Sequence, residues 1–190
     1  MIKTFALAVL LAIASLGEVT GQVKSSYKRN LFCNSVYLLM DASTVTFEFN
    51  SIEDYEKGLG RNREYRTLGA VDARVDWELY FWANTEMVHE DGYTRMPLNN
   101  IGVTMEYLGR NRVRVNGRRR PITLKRREQW LIRPQGCWSN RGCYLNNMFF
   151  IYWEMGTCRG RMNKKNLYKQ NLKKGTYRTE VEFAVVQDWW

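Results

Sequence analysis

From residue 71 to residue 83 the chain alternates without a break. Val71, Ala73, Val75, Trp77, Leu79, Phe81 and Ala83 are apolar, and Asp72, Arg74, Asp76, Glu78, Tyr80 and Trp82 stand between them. A period of two places one set on a single face of an extended strand, whereas a helix needs a period near 3.6. The same period recurs at Val45, Phe47 and Phe49, at Ile101, Val103, Met105 and Tyr107, and at Tyr177, Thr179, Val181, Phe183 and Val185 within an expected last strand over 176–187. Residues 148–155 are apolar on both faces, as a central strand would be. Val113 and Val115 lead into Asn116-Gly117, a strong hairpin signal. Only 51–57 reads as helix, with Ser51 and Asp54 placed as a capping box and Gly58 as a stop. Roughly eight to ten short strands with almost no helix predict an all-β chain. The expected fold is one antiparallel β-sandwich with a short helical turn, a closed barrel being the alternative. Trp77, Leu79, Phe81, Val181, Phe183 and Val185 are expected in one core.

The N-terminus has a different character. Lys3 is followed by an uncharged apolar run from Phe5 to Leu16, then by small residues and Val19-Thr20-Gly21. That run has the length of a signal-peptide core and is too short to span a bilayer as a helix. Residues 1–21 are therefore expected to be a cleaved signal peptide and 22–190 a single domain, secreted, periplasmic or at the cell surface. A buried N-terminal helix is the competing assignment, and it lacks the polar face such a helix would carry.

Export changes how the four cysteines are read. Cys33, Cys137, Cys143 and Cys158 are an even set, which in an oxidising compartment suggests two disulfides. Of the three connectivities, Cys137 with Cys143 and Cys33 with Cys158 is favoured. Zinc is the rival, but the chain has one histidine and no CxxC pair, so no metal or other cofactor is expected.

The net charge of +10 is unevenly distributed. Residues 22–108 hold nine Lys+Arg against thirteen Asp+Glu, and residues 109–190 hold nineteen against five. Between 110 and 133 lie ten basic residues and one acid, Glu128. A two-residue turn at Asn116-Gly117 would set Arg114 opposite Arg119, with Arg112 on the same face. Like charges placed directly opposite cost stability, and a bound polyanion would remove that cost. Arg112, Arg114 and Arg119, with Arg126 and Arg127 from the next turn, are the expected anion contacts. The alternative is a solvated basic hairpin that deters edge pairing.

Catalytic patterns are sparse. His89 lies in a polar stretch between strands and is expected as a surface loop residue. The adjacent carboxylates Glu53 with Asp54 and Glu90 with Asp91 are expected to be solvated. No glycine-rich phosphate loop or EF-hand spacing is present. The chain is read as a non-enzyme, a secreted hydrolase with an unrecognised site being the remote alternative.

The run from Phe47 to Gly58, then Val75-Asp76-Trp77-Glu78-Leu79, Met96-Pro97-Leu98 and Gly175-Thr176-Tyr177 before a final alternating strand, resembles small secreted proteins of Bacteroidetes-type bacteria. Those are similar in outline to pilin and spore-coat-U-type subunits with immunoglobulin-like sandwiches. The resemblance implies assembly at a surface or in a fibre, with other protein subunits as partners, and no reaction. Two functions follow. One is a disulfide-stapled binding or assembly subunit of the cell surface, in which residues 31–40 could be a strand donated to a neighbour. The other is a soluble exported binder of polyanions: anionic glycan, lipopolysaccharide or, less favoured, nucleic acid.

Overall fold

The computed structural model describes residues 3–13, 24–27, 36–42 and 44–188. The expected cleavage site, Cys33 and the terminal Trp189-Trp190 lie outside them. The described chain forms two sheets packed face to face, an all-β sandwich rather than a barrel.

In chain order the strands are β1 (Lys3–Ile13), β2 (Lys24–Tyr27), β3 (Val36–Met40), β4 (Thr44–Glu48), β5 (Arg66–Ala73), β6 (Trp77–Ala83), β7 (Met87–His89), β8 (Arg95–Met96), β9 (Ile101–Tyr107), β10 (Val113–Val115), β11 (Ile122–Thr123), β12 (Gln129–Pro134), β13 (Met148–Met155) and β14 (Gly175–Gln187). One sheet has the order β10-β12-β6-β14-β1-β2, with β4 also on β1 and the β7–β8 pair on β14. The other has the order β11-β9-β13-β5-β3. Every pairing is antiparallel except β1 with β4.

The long alternation over 71–83 is two strands in different sheets. β5 ends at Ala73, the chain crosses the sandwich at 74–76, and β6 begins at Trp77. The alternation survives because odd-numbered residues face the shared core on both sides of the crossing. Trp77, Leu79, Phe81, Val181, Phe183 and Val185 are all fully buried, as expected. They pack against Val103, Ile151 and Trp153 of the opposite sheet, and Trp153 meets Phe183 edge-on at 6.3 Å. β13 lies between β9 and β5, and its residues from Ile151 to Met155 are buried on both faces.

The one α-helix, α1 (Ile52–Lys57), is made by its caps. Ser51 Oγ accepts the Asp54 N–H at 3.1 Å, and Asp54 Oδ2 accepts the N–H groups of Asn50 and Ser51 at 2.9 Å each. Gly58 ends it at φ +72°, where an added Cβ would strike the backbone at Gly156.

Three expectations are corrected. Cys137, Cys143 and Cys158 carry no disulfide, so the Cys137–Cys143 bond is not formed. The loop that carries Cys137 and Cys143 is organised instead by Asp76, whose carboxylate accepts the N–H groups of Trp138 and Asn140, and by Ser139 Oγ, which accepts those of Gln135 and Gly136. His89 is buried, not a surface residue. Residues 36–40 are an edge strand of their own five-stranded sheet, with Val36 and Leu38 in the core, so that part of 31–40 is not free to be donated.

Candidate functional site: an arginine groove

The hairpin expected at Asn116-Gly117 does not form. β10 pairs with β12, which puts Arg114 opposite Arg133 and not Arg119. The strand ends where Asn116 turns its donors to β12: its N–H goes to the Leu131 carbonyl at 2.9 Å and its carboxamide to the Trp130 carbonyl at 3.0 Å. Gly117 then takes φ +75°, and its carbonyl accepts the Met105 N–H of β9 in the other sheet at 3.2 Å. Residues 116–121 thus cross from one sheet to the other, and β11 joins β9.

This crossing strings Arg118, Arg119 and Arg120 along the sandwich, all exposed. The loop after β13 comes up beside them. Glu154, buried at the end of β13, accepts from Arg159 at 2.9 Å and from the Thr157 hydroxyl at 2.7 Å, which ties the loop to the strand. Lys164 Nζ donates to the carbonyls of Cys158 and Gly160. Gly160, at φ +53°, lies so close to Pro121 that a Cβ would sit 2.5 Å from the Pro121 carbonyl oxygen. Between crossing and loop runs a groove of about 570 Å³, with Arg118, Arg119, Arg120 and Arg161 on its walls and no carboxylate among its lining residues.

Arg118 also lines a neighbouring cleft of about 380 Å³ with Arg63 and Arg112. The one acid there, Glu106, already accepts from Arg63 at 3.0 Å and from the Tyr152 hydroxyl at 2.7 Å. The basic surface therefore runs from Arg161 through 118–120 to Arg112.

Of the five contacts expected from the sequence, Arg119 lines the groove and Arg112 the adjoining cleft. Arg114 is exposed on β10, Arg126 leans on the Ala83 carbonyl at 3.4 Å, and Arg127 is exposed in the turn before β12; none of these three lines either cleft. Arg118, Arg120 and Arg161 line the groove and were not among the expected contacts. The signal available was Arg118-Arg119-Arg120-Pro121, which has no alternation and ends in a residue without an N–H.

Other arginines are already occupied. Arg133 is paired with Glu78, donates to the Tyr80 hydroxyl at 2.8 Å and lies over the Trp130 ring. Arg141 stacks 3.8 Å over Trp138 and faces Asp76. Among the described residues, no ion pair is formed by Arg112, Arg118, Arg119, Arg120 or Arg161.

His89 is committed to structure. Its Nδ1 accepts the Asp91 N–H at 3.1 Å, and its Nε2 meets the Lys174 carbonyl at 2.9 Å. A carbonyl can only accept, so Nε2 carries a proton, and Nδ1 also lies 3.1 Å from the Asp91 carboxylate. Asp91 accepts from the N–H and hydroxyl of Thr94, the N–H of Tyr93 and the Lys173 ammonium. The Thr94 N–H first, then Lys173, hold its carboxyl far below the usual carboxylate range.

A third cleft, of about 470 Å³, is apolar: Phe49, Ile52, Tyr55, Leu167, Tyr168 and Leu172 line most of it. Among the described residues no cluster of three His, Cys, Asp or Glu side chains could hold a metal, and no helix is long and apolar enough to cross a membrane. No protein-family model matches this chain, and no curated protein does.

Proposed function

We propose that this protein is an exported, non-catalytic binding protein that takes an anionic polymer at the cell surface through the groove of Arg118, Arg119, Arg120 and Arg161. The single observation that carries the proposal is four arginines facing one open groove with no carboxylate among them. Like charges held within a Debye length of each other, roughly 8 Å at physiological salt, raise one another's free energy, and an anion relieves all of them together. Guanidinium forks suit sulfate, phosphate and carboxylate groups. The ligand is polymeric because the basic surface extends past the groove to Arg112. An anionic glycan or lipopolysaccharide fits better than nucleic acid, since no aromatic residue lines the groove on which a base could stack. The non-catalytic part is supported by His89, both of whose nitrogens have backbone partners, and by Glu154, neutralised by Arg159.

Retention on immobilised heparin through a salt gradient is the test. Four contacts predict a slope of log affinity against log salt of about −3. Elution at low salt, with no slope on heparin, lipopolysaccharide or single-stranded DNA, would overturn the proposal; steeper retention on DNA than on the glycans would overturn the ligand class.

A further inference from the structure

One loop, residues 156–174 between β13 and β14, walls both the arginine groove and the apolar cleft. Near its start it sends Gly160 and Arg161 to the groove. From Leu167 to Lys174 it forms one side of the cleft, and Phe49 with the start of α1 forms the other. The loop is pinned between the two sites. The Asn163 N–H donates to the Asn99 carbonyl at 2.9 Å. Asn100 and Gln170 exchange two side-chain hydrogen bonds, at 2.9 and 3.0 Å. Leu167 is buried on Gly156, where a Cβ would lie 2.6 Å from its Cγ. Arg161 and Leu167 are six residues apart, so even a fully extended chain would hold their Cα atoms within about 22 Å of each other.

The cleft has the make-up of a site for an alkyl chain with a charged end. Its floor is Phe49 and Leu167, both buried, with the Tyr55 ring 5.1 Å from that of Phe49. Its rim keeps apolar surface in water: Ile52 is 68% exposed and Tyr168 61%. α1 has no buried residue, so Ile52 serves no core. Of the lining residues only Lys174 is charged, and it forms no ion pair among the described residues. The Lys174 carbonyl is held by His89 Nε2, which fixes the backbone that carries the ammonium. The acid of the first turn of α1 that lies beside Tyr55, Asp54, is committed to the N–H groups of Asn50 and Ser51. A volume of about 470 Å³ is within the range of roughly 300–1,000 Å³ for small-molecule sites.

We infer that the ligand of the arginine groove is acylated: an anionic glycolipid of the lipopolysaccharide class, with its polyanionic part along Arg118–Arg120 and Arg161 and one acyl chain in the cleft. This rests on the groove reading and selects among the ligands which that reading allows. A plain anionic glycan has nothing to place against Phe49, Leu167 and Ile52. A free fatty acid would answer Lys174 and leave the four arginines unanswered. A glycolipid answers both, and its phosphate at the foot of the chain meets Lys174. Because one pinned loop holds both walls, the second contact is intramolecular once the first is made. The two contacts also differ in kind. Each methylene moved from water into the cleft is worth roughly fourfold in affinity and is not screened by salt, whereas the groove's contribution falls as salt rises.

The experiment compares lipopolysaccharide with the same material stripped of its acyl chains, on the whole chain as exported. Intact lipopolysaccharide should bind about tenfold tighter or more, the worth of two or three buried methylenes, and the preference should grow with salt. Laurate below its micelle concentration should bind one per chain, by calorimetry, and compete with the intact form only. Ile52→Ser/Tyr168→Ser changes two exposed side chains and no charge; it should abolish laurate binding and the preference for the intact form. Its retention on heparin, which has no acyl chain, should equal that of the wild type, which a misfolded variant would not allow. Failure of both forms to bind would overturn the groove reading and this inference with it. Equal affinity for the two forms, no laurate binding, or a folded variant that keeps the preference would each overturn the acyl chain while leaving the groove standing.

Discussion

Asn140 and Trp77 hold each other by three hydrogen bonds in the floor of the sandwich. The Asn140 carboxamide oxygen accepts the Trp77 N–H at 3.1 Å, its amide nitrogen donates to the Trp77 carbonyl at 2.7 Å, and its own carbonyl accepts the indole N–H at 2.7 Å. Both residues are fully buried. The pair fixes the point at which the chain crosses from β5 to β6, next to Asp76, which binds the same loop through Trp138 and Asn140.

Asn140→Ala removes the two side-chain bonds and leaves a buried N–H and a buried carbonyl of Trp77 without partners. A loss of about 2–5 kcal/mol is expected, read by urea denaturation. A loss under about 0.5 kcal/mol would mean that water replaces the carboxamide.

Trp77→Ala removes the largest buried side chain of β6 and the indole bond to Asn140. The expected cost is about 3–5 kcal/mol, measured by the same denaturation. A wild-type midpoint would show that the two sheets do not share this core.

The two sets of arginines separate under mutation. Replacing Arg118, Arg119, Arg120 and Arg161 by Ser should flatten the salt dependence of heparin retention by about three units of slope. Replacing Arg114, Arg126 and Arg127, which line neither cleft, should change it little. Equal losses from the two sets would mean that retention follows net charge and not the groove.

Gly160→Ala tests how the groove is built. The residue sits at positive φ with its would-be Cβ 2.5 Å from the Pro121 carbonyl oxygen, so any side chain pushes the Arg161 loop away from 118–120. Weaker heparin retention is expected with all four arginines still present. Unchanged retention would show that Arg161 contributes nothing to it.

Asp91 makes stability depend on acid. Its folded carboxyl ionises far below the ordinary value of about 3.9, because the Thr94 N–H, Lys173 and the Thr94 hydroxyl favour the charged form. A depressed carboxyl contributes stability that is present above the unfolded value and lost as pH falls toward the folded one. Melting temperature should therefore fall below about pH 4, and Asp91→Asn should lower it at neutral pH while flattening that acid limb. An unchanged limb would place the acid sensitivity in other carboxylates.

Much of the fold was legible in the sequence because burial alternates with a period of two. The alternation at Trp77, Leu79 and Phe81 and at Val181, Phe183 and Val185 names the core, and the Ser51–Asp54 capping box with Gly58 names the helix; both are local signals carried by adjacent residues. What alternation reports, however, is only which residues face the core, not which strand lies alongside. The change of sheet between Ala73 and Trp77 keeps its parity and so leaves no mark. Asn116-Gly117 has the chemistry of a hairpin, yet the pairing of Val113–Val115 with β12 and the bond from Met105 to Gly117 carry the chain to the other sheet. That long-range choice separates Arg114 from Arg119 and brings Arg161, distant in sequence, beside Arg118 and Arg120. In the same way, composition sets the first residues apart as an uncharged apolar run, while only the tertiary structure puts residues 3–13 between β14 and β4. Hydrogen-bond partners across a sheet are set by the competition of all strands for one another, and no local stretch of sequence contains that competition.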